Sequence, residues 1–300
     1  MRWALALMAL LAACRANDDA PAPAASSAVA ATASAEAERD PRIVVENAGA
    51  SPREVLEVAL GDGEQRRLRI EAVVATEVDG EAQAPTTFVA EAALQVKAMG
   101  AGYRLSATFE NILPGKDGER LPEAEALAGL EATTVVGPDG WVAPLMAERA
   151  LPPPSAQLFA SLDEAVRDLW APLPRVPLGD GARWRSRAER RRGGALVTRT
   201  TRYRLEKREG AVAILGEVEE RVVAGSYRDP ALPQLTLIAQ AGLAAGRHQV
   251  RFASAPLGIP QAVESSVAGD LRIALSPDGE AASPPRKVAI TQLLQVGRED

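Results

Sequence analysis

The sequence predicts a mainly antiparallel β protein: two copies of one β-meander module with a single amphipathic helix between them. Three observations carry this. Apolar and polar residues alternate with period two in run after run from Ile43 onward. Turn signals rich in Gly and Asp punctuate the runs. One stretch only, after Pro152-Pro153-Pro154, repeats its apolar residues at helical spacing.

The first segment, residues 1–13, reads as a signal peptide. Arg2 supplies a positive start, Trp3 to Leu11 form an apolar run, and Leu11-Ala12-Ala13 places small residues before Cys14. The run is too short for a membrane span, which needs roughly 20 apolar residues. Leu11, Ala12, Ala13 and Cys14 together resemble the lipobox of bacterial lipoproteins. That resemblance implies lipidation of the Cys14 sulfur, cleavage before Cys14 and acylation of the new amino terminus, with palmitate among the acyl chains. The alternative is an ordinary secretory peptide with its cysteine at the cleavage site. Cys14 is the sole cysteine, so no disulfide forms within the chain, and lipid accounts for an otherwise unexplained thiol. Two or more acyl chains hold stably where one holds only marginally. In lipoproteins Asp after the cysteine implies inner-membrane retention; Arg15 therefore points to the outer membrane, facing the periplasm.

Residues 14–42 follow as a lipidated cysteine and tether of Ala, Pro, Ser and a few charges. Such a composition buries too little apolar surface to offset its conformational entropy. A flexible coil of that length spans roughly 30 Å, and ~90 Å when extended. The chain carries 34 basic and 40 acidic residues, a net charge of −6, and loss of Arg2 with the leader makes it −7. An acidic, mixed surface argues against nucleic acid as a partner. Thirty Arg accompany only four Lys, a bias that calls for caution before any Arg-rich stretch is read as a site.

The first module, residues 43–150, contains Phe88, Ala90, Ala92, Leu94 and Val96 on one strand face, with Val89, Glu91, Ala93, Gln95 and Lys97 on the other. Tyr103, Leu105, Ala107 and Phe109 alternate in the same way with Arg104, Ser106, Thr108 and Glu110. The helix is expected within the connecting segment 151–174. Ser155 is its expected N-cap, Leu158, Leu162, Ala165, Val166 and Leu169 its apolar stripe, and Asp163, Glu164, Arg167 and Asp168 its other side. Pro172 and Pro174 end it. The second module, residues 175–300, includes the run Val212, Ile214, Gly216 and Val218. Its alternate residues Ala213 and Leu215 are also apolar, which predicts a strand covered on both faces.

Duplication is read from matched turns. Gly61-Asp62-Gly63 and Gly179-Asp180-Gly181 each open a strand, Gly102 and Gly210 mark later turns, and each half reaches a Pro-Asp-Gly, at residues 138–140 and 277–279. Chance recurrence of common turns is the alternative. Asp62 and Asp180 stabilise tight turns on this reading and do not form a catalytic dyad, because Gly rather than Thr or Ser follows each.

Leu173-Pro174, Pro177-Leu178-Gly179-Asp180-Gly181 and Trp184, followed by the alternating strand Arg199 to Lys207, resemble a family of bacterial envelope lipoproteins of unknown function. The resemblance implies a fold and no catalytic residue. A looser architectural likeness exists to periplasmic carriers of lipids and lipoproteins, which implies curved sheet(s) or a half-barrel enclosing an apolar ligand.

No nucleophile elbow, zinc-binding helix motif, calcium loop or phosphate loop occurs in the sequence. The single histidine, His248, sits in an alternating run and reads as a satisfied strand residue. Neither a cofactor nor a metal is expected. Arg183, Arg185 and Arg187 share a strand face, and Arg190, Arg191 and Arg192 lead toward Gly193-Gly194. They are either a solvated face paired with Glu217, Glu219 and Glu220, or a contact for phosphate or carboxylate groups. The functional expectation is a membrane-anchored, non-enzymatic envelope lipoprotein binding an apolar ligand such as lipid. The alternative is an interaction lipoprotein that scaffolds other envelope proteins. The small Ala side chains of Phe88 to Val96 suit either a cavity or a closely packed helix.

Overall fold

The computed structural model describes residues 42–114, 122–192, 195–228, 235–277 and 282–299. The leader, the lipobox, the tether up to residue 41, Gly193-Gly194 and the Asp-Gly of the second Pro-Asp-Gly lie outside the described residues.

Alternation becomes strand throughout. The strands are β1 (Arg42–Asn47), β2 (Gln65–Val78), β3 (Glu81–Ala82), β4 (Thr86–Met99), β5 (Gly102–Pro114), β6 (Leu130–Val136) and β7 (Met146–Ala147). After the helix α1 (Pro153–Arg167) come β8 (Arg183–Arg192), β9 (Ala195–Arg208), β10 (Ala211–Val222), β11 (Gly225–Arg228), β12 (Leu235–Phe252), β13 (Ala262–Pro277) and β14 (Arg286–Glu299). All fourteen join one antiparallel sheet in the order β1-β8-β9-β10-β12-β13-β14-β2-β4-β5-β6-β7, with β3 beside β2 and β11 beside β12. The sheet is curved and unclosed, a half-barrel with one α-helix among the described residues.

Most neighbours in the sheet are successive in the chain, as a meander requires, or skip only a short side strand, as β2–β4 skips β3 and β10–β12 skips β11. Two pairings join remote parts of the chain. β1 crosses to β8, with Arg42 opposite Arg187 and Val45 opposite Trp184. β14 lies against β2 over Arg67 to Val78. The sheet therefore runs unbroken through both halves of the chain. The two Gly-Asp-Gly turns are held alike. Gly63 N–H donates to Val96 O and Gly181 N–H to Leu205 O. The Asp62 carboxylate accepts from Ala98 N–H at 2.9 Å, and the Asp180 carboxylate from Lys207 N–H at 2.8 Å. Each aspartate thus pins the start of one strand to the end of the next, as a turn residue.

The inward faces of β4 and β5 are buried as the alternation demands: Phe88, Ala90, Ala92, Leu94, Val96, Leu105, Ala107 and Phe109 are at most 1% exposed. They share one apolar cluster with Leu158, Leu162, Ala165, Val166 and Leu169 of the helix and its C-terminal extension. A second cluster, from Val74 and Val78 through Val197 and Val222 to Leu271, Ile273, Val288 and Ile290, fills the other end of the long strands. β10 departs from expectation. Its Val212, Ile214 and Val218 are buried, but Ala213 and Leu215 are half-exposed and Glu217 and Glu219 exposed. It is covered on one face only, because among the described residues nothing packs on the outside of the sheet there.

The helix also corrects the sequence reading at its start. Pro152 is the N-cap and makes no side-chain cap bond. Ser155 lies one turn in, and its hydroxyl donates to Glu123 O at 2.9 Å, tying the helix to the 3-10 turn at Pro122–Leu127. A strap with no sequence signature, residues 50–60, runs across the base of the sheet. It buries Leu56, Val58 and Leu60 and bridges Leu178 and Leu257 in turn.

Candidate functional site

Two features could carry function: the interior beneath the helix and the outward face of the sheet around β8.

The interior is closed by charge. Arg199 sits at an inward position of β9 between Val197 and Thr201, where alternation turns it away from water. Its guanidinium donates to both oxygens of Asp168, with contacts of 3.1, 3.1 and 3.2 Å. Arg190 reaches the same carboxylate at 3.4 Å, and Glu220, inward on β10, lies 3.9 Å from Arg199 Nε. Arg199, Asp168, Glu220, Glu164 and Arg167 are all buried. Burial alone would push the Arg199 guanidinium down; Asp168 and then Glu220 outweigh it and hold it above its ordinary value, permanently charged. Burial raises the neighbouring Tyr203 phenol. His248 stands edge-on to the Tyr203 ring at 6.5 Å. Its Nδ1 is buried without a hydrogen-bond partner, and burial pushes its pKa down to about 4. His248 is thus a buried strand residue as the sequence suggests, but its Nδ1 is left unsatisfied.

Little space remains in this region. A void of about 20 Å³ lies beside Arg167, Ser186, Arg199 and Tyr203, and one of about 10 Å³ beside Glu220 and Gly269. The first admits a single water. The Ala side chains of β4, which sequence reasoning offered as cavity lining or helix contact, are packed into the core with the helix. Among the described residues no group of three His, Cys, Asp or Glu side chains is arranged to hold a metal ion.

The outward face differs. Arg183, Arg185 and Arg187 project from it, exposed, as their alternation predicts. Arg190 does not join them; its parity is inward, and Asp168 draws it into the buried cluster. The backbones of Arg191 and Arg192 belong to β8, and their side chains lie outside the described residues. The expected pairing with Glu217, Glu219 and Glu220 fails for Arg183, Arg185 and Arg187. Glu219 pairs with Arg221, Glu220 is buried beside Arg199, and Glu217 makes no ion pair among the described residues.

Cross-strand register brings in arginines that sequence reasoning missed. Arg42 of β1 lies opposite Arg187, and Arg202 and Arg204 of β9 lie opposite Arg185 and Arg183. Arg247 of β12 lies opposite Glu217. Two grooves run over this face. One of about 480 Å³ is lined by Arg42, Arg185, Arg187 and Glu189. The other, of about 590 Å³, is lined by Arg183, Arg202, Arg204, Arg247, Glu46 and Glu217. Parity within the run Arg199 to Lys207 marks Arg202 and Arg204 as outward. Only the pairing of remote strands puts them beside β8.

No family model and no curated protein matches the chain. Among solved structures, an outer membrane channel from Pseudomonas putida F1 is similar over 80% of this chain and 97% of the channel, at 12% sequence identity and a TM-score of 0.17.

Proposed function

We propose that this chain is a lipid-anchored, non-enzymatic protein of the cell envelope that works by surface contact, holding no apolar ligand inside. One observation carries the reading. The interior packs one apolar cluster under the helix, a second at the other end of the long strands and a buried ion network, whereas the outward face of β1, β8, β9, β10 and β12 presents open grooves lined by arginine. Of the two expectations from sequence, this favours the interaction lipoprotein over the carrier. The anchor itself rests on Leu11, Ala12, Ala13 and Cys14, and Arg15 directs it to the outer membrane.

Mass spectrometry of mature protein from the native host tests both parts. The expected amino terminus is an acylated Cys14, and an organic extract of the purified protein contains no stoichiometric lipid beyond the anchor. A terminus upstream of Cys14, or a bare thiol, refutes the anchor. A stoichiometric apolar molecule in the extract refutes surface contact as the mode of action and restores the carrier.

A further inference from the structure

We propose that the outward face of β1, β8, β9, β10 and β12 docks on the phosphate-bearing headgroups of an anionic lipid surface, through Arg42, Arg183, Arg185, Arg187, Arg202 and Arg247. The inference rests on the anchored reading for its location and on the following observations for its chemistry.

None of these six guanidiniums makes an ion pair among the described residues, although Arg204 beside them pairs with Glu206 and Arg251 with Glu264. The sheet moreover sets like charges directly across from one another. Arg42 faces Arg187, and Arg185 faces Arg202. Side chains at such positions lie roughly 5 Å apart at Cβ, and like charges there repel. A face built this way is relieved by an anion placed between the guanidiniums, and phosphate oxygens match the planar fork of arginine. Outward residues on one strand repeat every ~6.6 Å and strands every ~4.8 Å, so an array spread over four strands is broad, suited to many headgroups and not to one small ligand. Glu46, Glu189 and Glu217 are interspersed but fewer.

Two further points favour a membrane over another anion. The chain as a whole carries a net charge of −6, so an anionic bilayer repels most of the body and orients this face toward itself. Residues 1–41, which contain the lipobox and tether, enter the body at Arg42, the first residue of β1 and itself part of the array. An anchor at Cys14 therefore joins the body at this edge of the sheet.

The test uses the full chain carrying Cys14→Ser, which removes the acyl anchor, in co-sedimentation with vesicles. Vesicles of equal parts phosphatidylglycerol and phosphatidylcholine are compared with phosphatidylcholine alone at 50 and 300 mM salt. The leader binds both vesicles through its apolar run, so the readout is the excess on anionic vesicles. That excess should fall with salt. It should drop roughly 100-fold in Arg185→Gln/Arg187→Gln/Arg202→Gln, from about a factor of five for each guanidinium near an anionic surface. All three positions are exposed, and an unchanged melting curve verifies the variant; should it melt early, Arg187→Gln alone is expected to lower the excess by that single factor. Equal partition into both vesicles, or an excess indifferent to salt and to these substitutions, overturns the proposal. Because Cys14 is absent from the assay, failure here leaves the anchor standing, and a bare Cys14 in the native host leaves this result standing.

Discussion

Replacing Asp168 with asparagine preserves its shape and removes its charge, leaving the buried Arg199 guanidinium without its bidentate partner. Asp168 now receives three contacts of 3.1–3.2 Å from Arg199 and one of 3.4 Å from Arg190. After the substitution the nearest carboxylate to Arg199 is Glu220, 3.9 Å from Nε. Both members of the pair are over nine-tenths buried at the side chain, so solvent cannot replace the lost charge. Breaking such a pair on one side costs about 3–5 kcal/mol. In a body of this size that lowers the melting temperature by about 6–15 °C. Urea titration of the wild type, Asp168→Asn, Arg199→Gln and the double variant measures it. The cycle should show a coupling of at least ~1.5 kcal/mol, with the double variant less damaged than the sum of the singles. Additive losses, each under about 1 kcal/mol, would refute the idea that the cluster is dry and mutually dependent.

Two other outcomes follow from the same interior and its base. His248, with its folded pKa pushed from 6.5 to about 4 by burial, takes up a proton on unfolding anywhere between those values. Stability should therefore be intact above about pH 6.5 and fall by about 3 kcal/mol as the pH drops toward 4; His248→Phe should flatten that part of the pH–stability curve, and an unchanged slope would refute the assignment. Gly179→Ala should prevent assembly of the base, since a Cβ there would lie 1.6 Å from Ala50 O, a backbone atom of the strap; a folded variant with wild-type melting would show that the strap is displaceable.

The strands were legible because each buries one face, and Phe88 to Val96 or Leu105 to Phe109 state this residue by residue. The helix was legible through its apolar stripe. Its second side was not. Glu164, Arg167 and Asp168 are charged and lie off the apolar stripe, yet they are buried; the counter-charge of Asp168 comes from Arg199 on a distant strand, and Arg167 pairs with Asp163 one turn earlier. A signal existed: Arg199 stands between Val197 and Thr201, and Glu220 between Val218 and Val222, at positions whose parity is inward. The outward array was half legible. Arg183, Arg185 and Arg187 share parity on one strand, but Arg42, Arg202 and Arg247 join them only through register between strands, which local patterns do not encode. The strap was not legible because it touches the sheet through isolated bridges and has neither a long period-two run nor a helical stripe.

The place of β14 has a consequence for how the molecule is assembled. It is seated between β13 and β2, and its Lys287 binds Asp79, 208 residues earlier. A ribosome delivers β2 long before β14 exists, so one flank of β2 waits as a bare edge, ready to accept any extended segment that comes by. Contacts this remote in sequence also form slowly. The chain is thus at its most vulnerable until β14 arrives, and a holding factor that shields that flank of β2 would act at the step where the two halves of the sheet are finally riveted together.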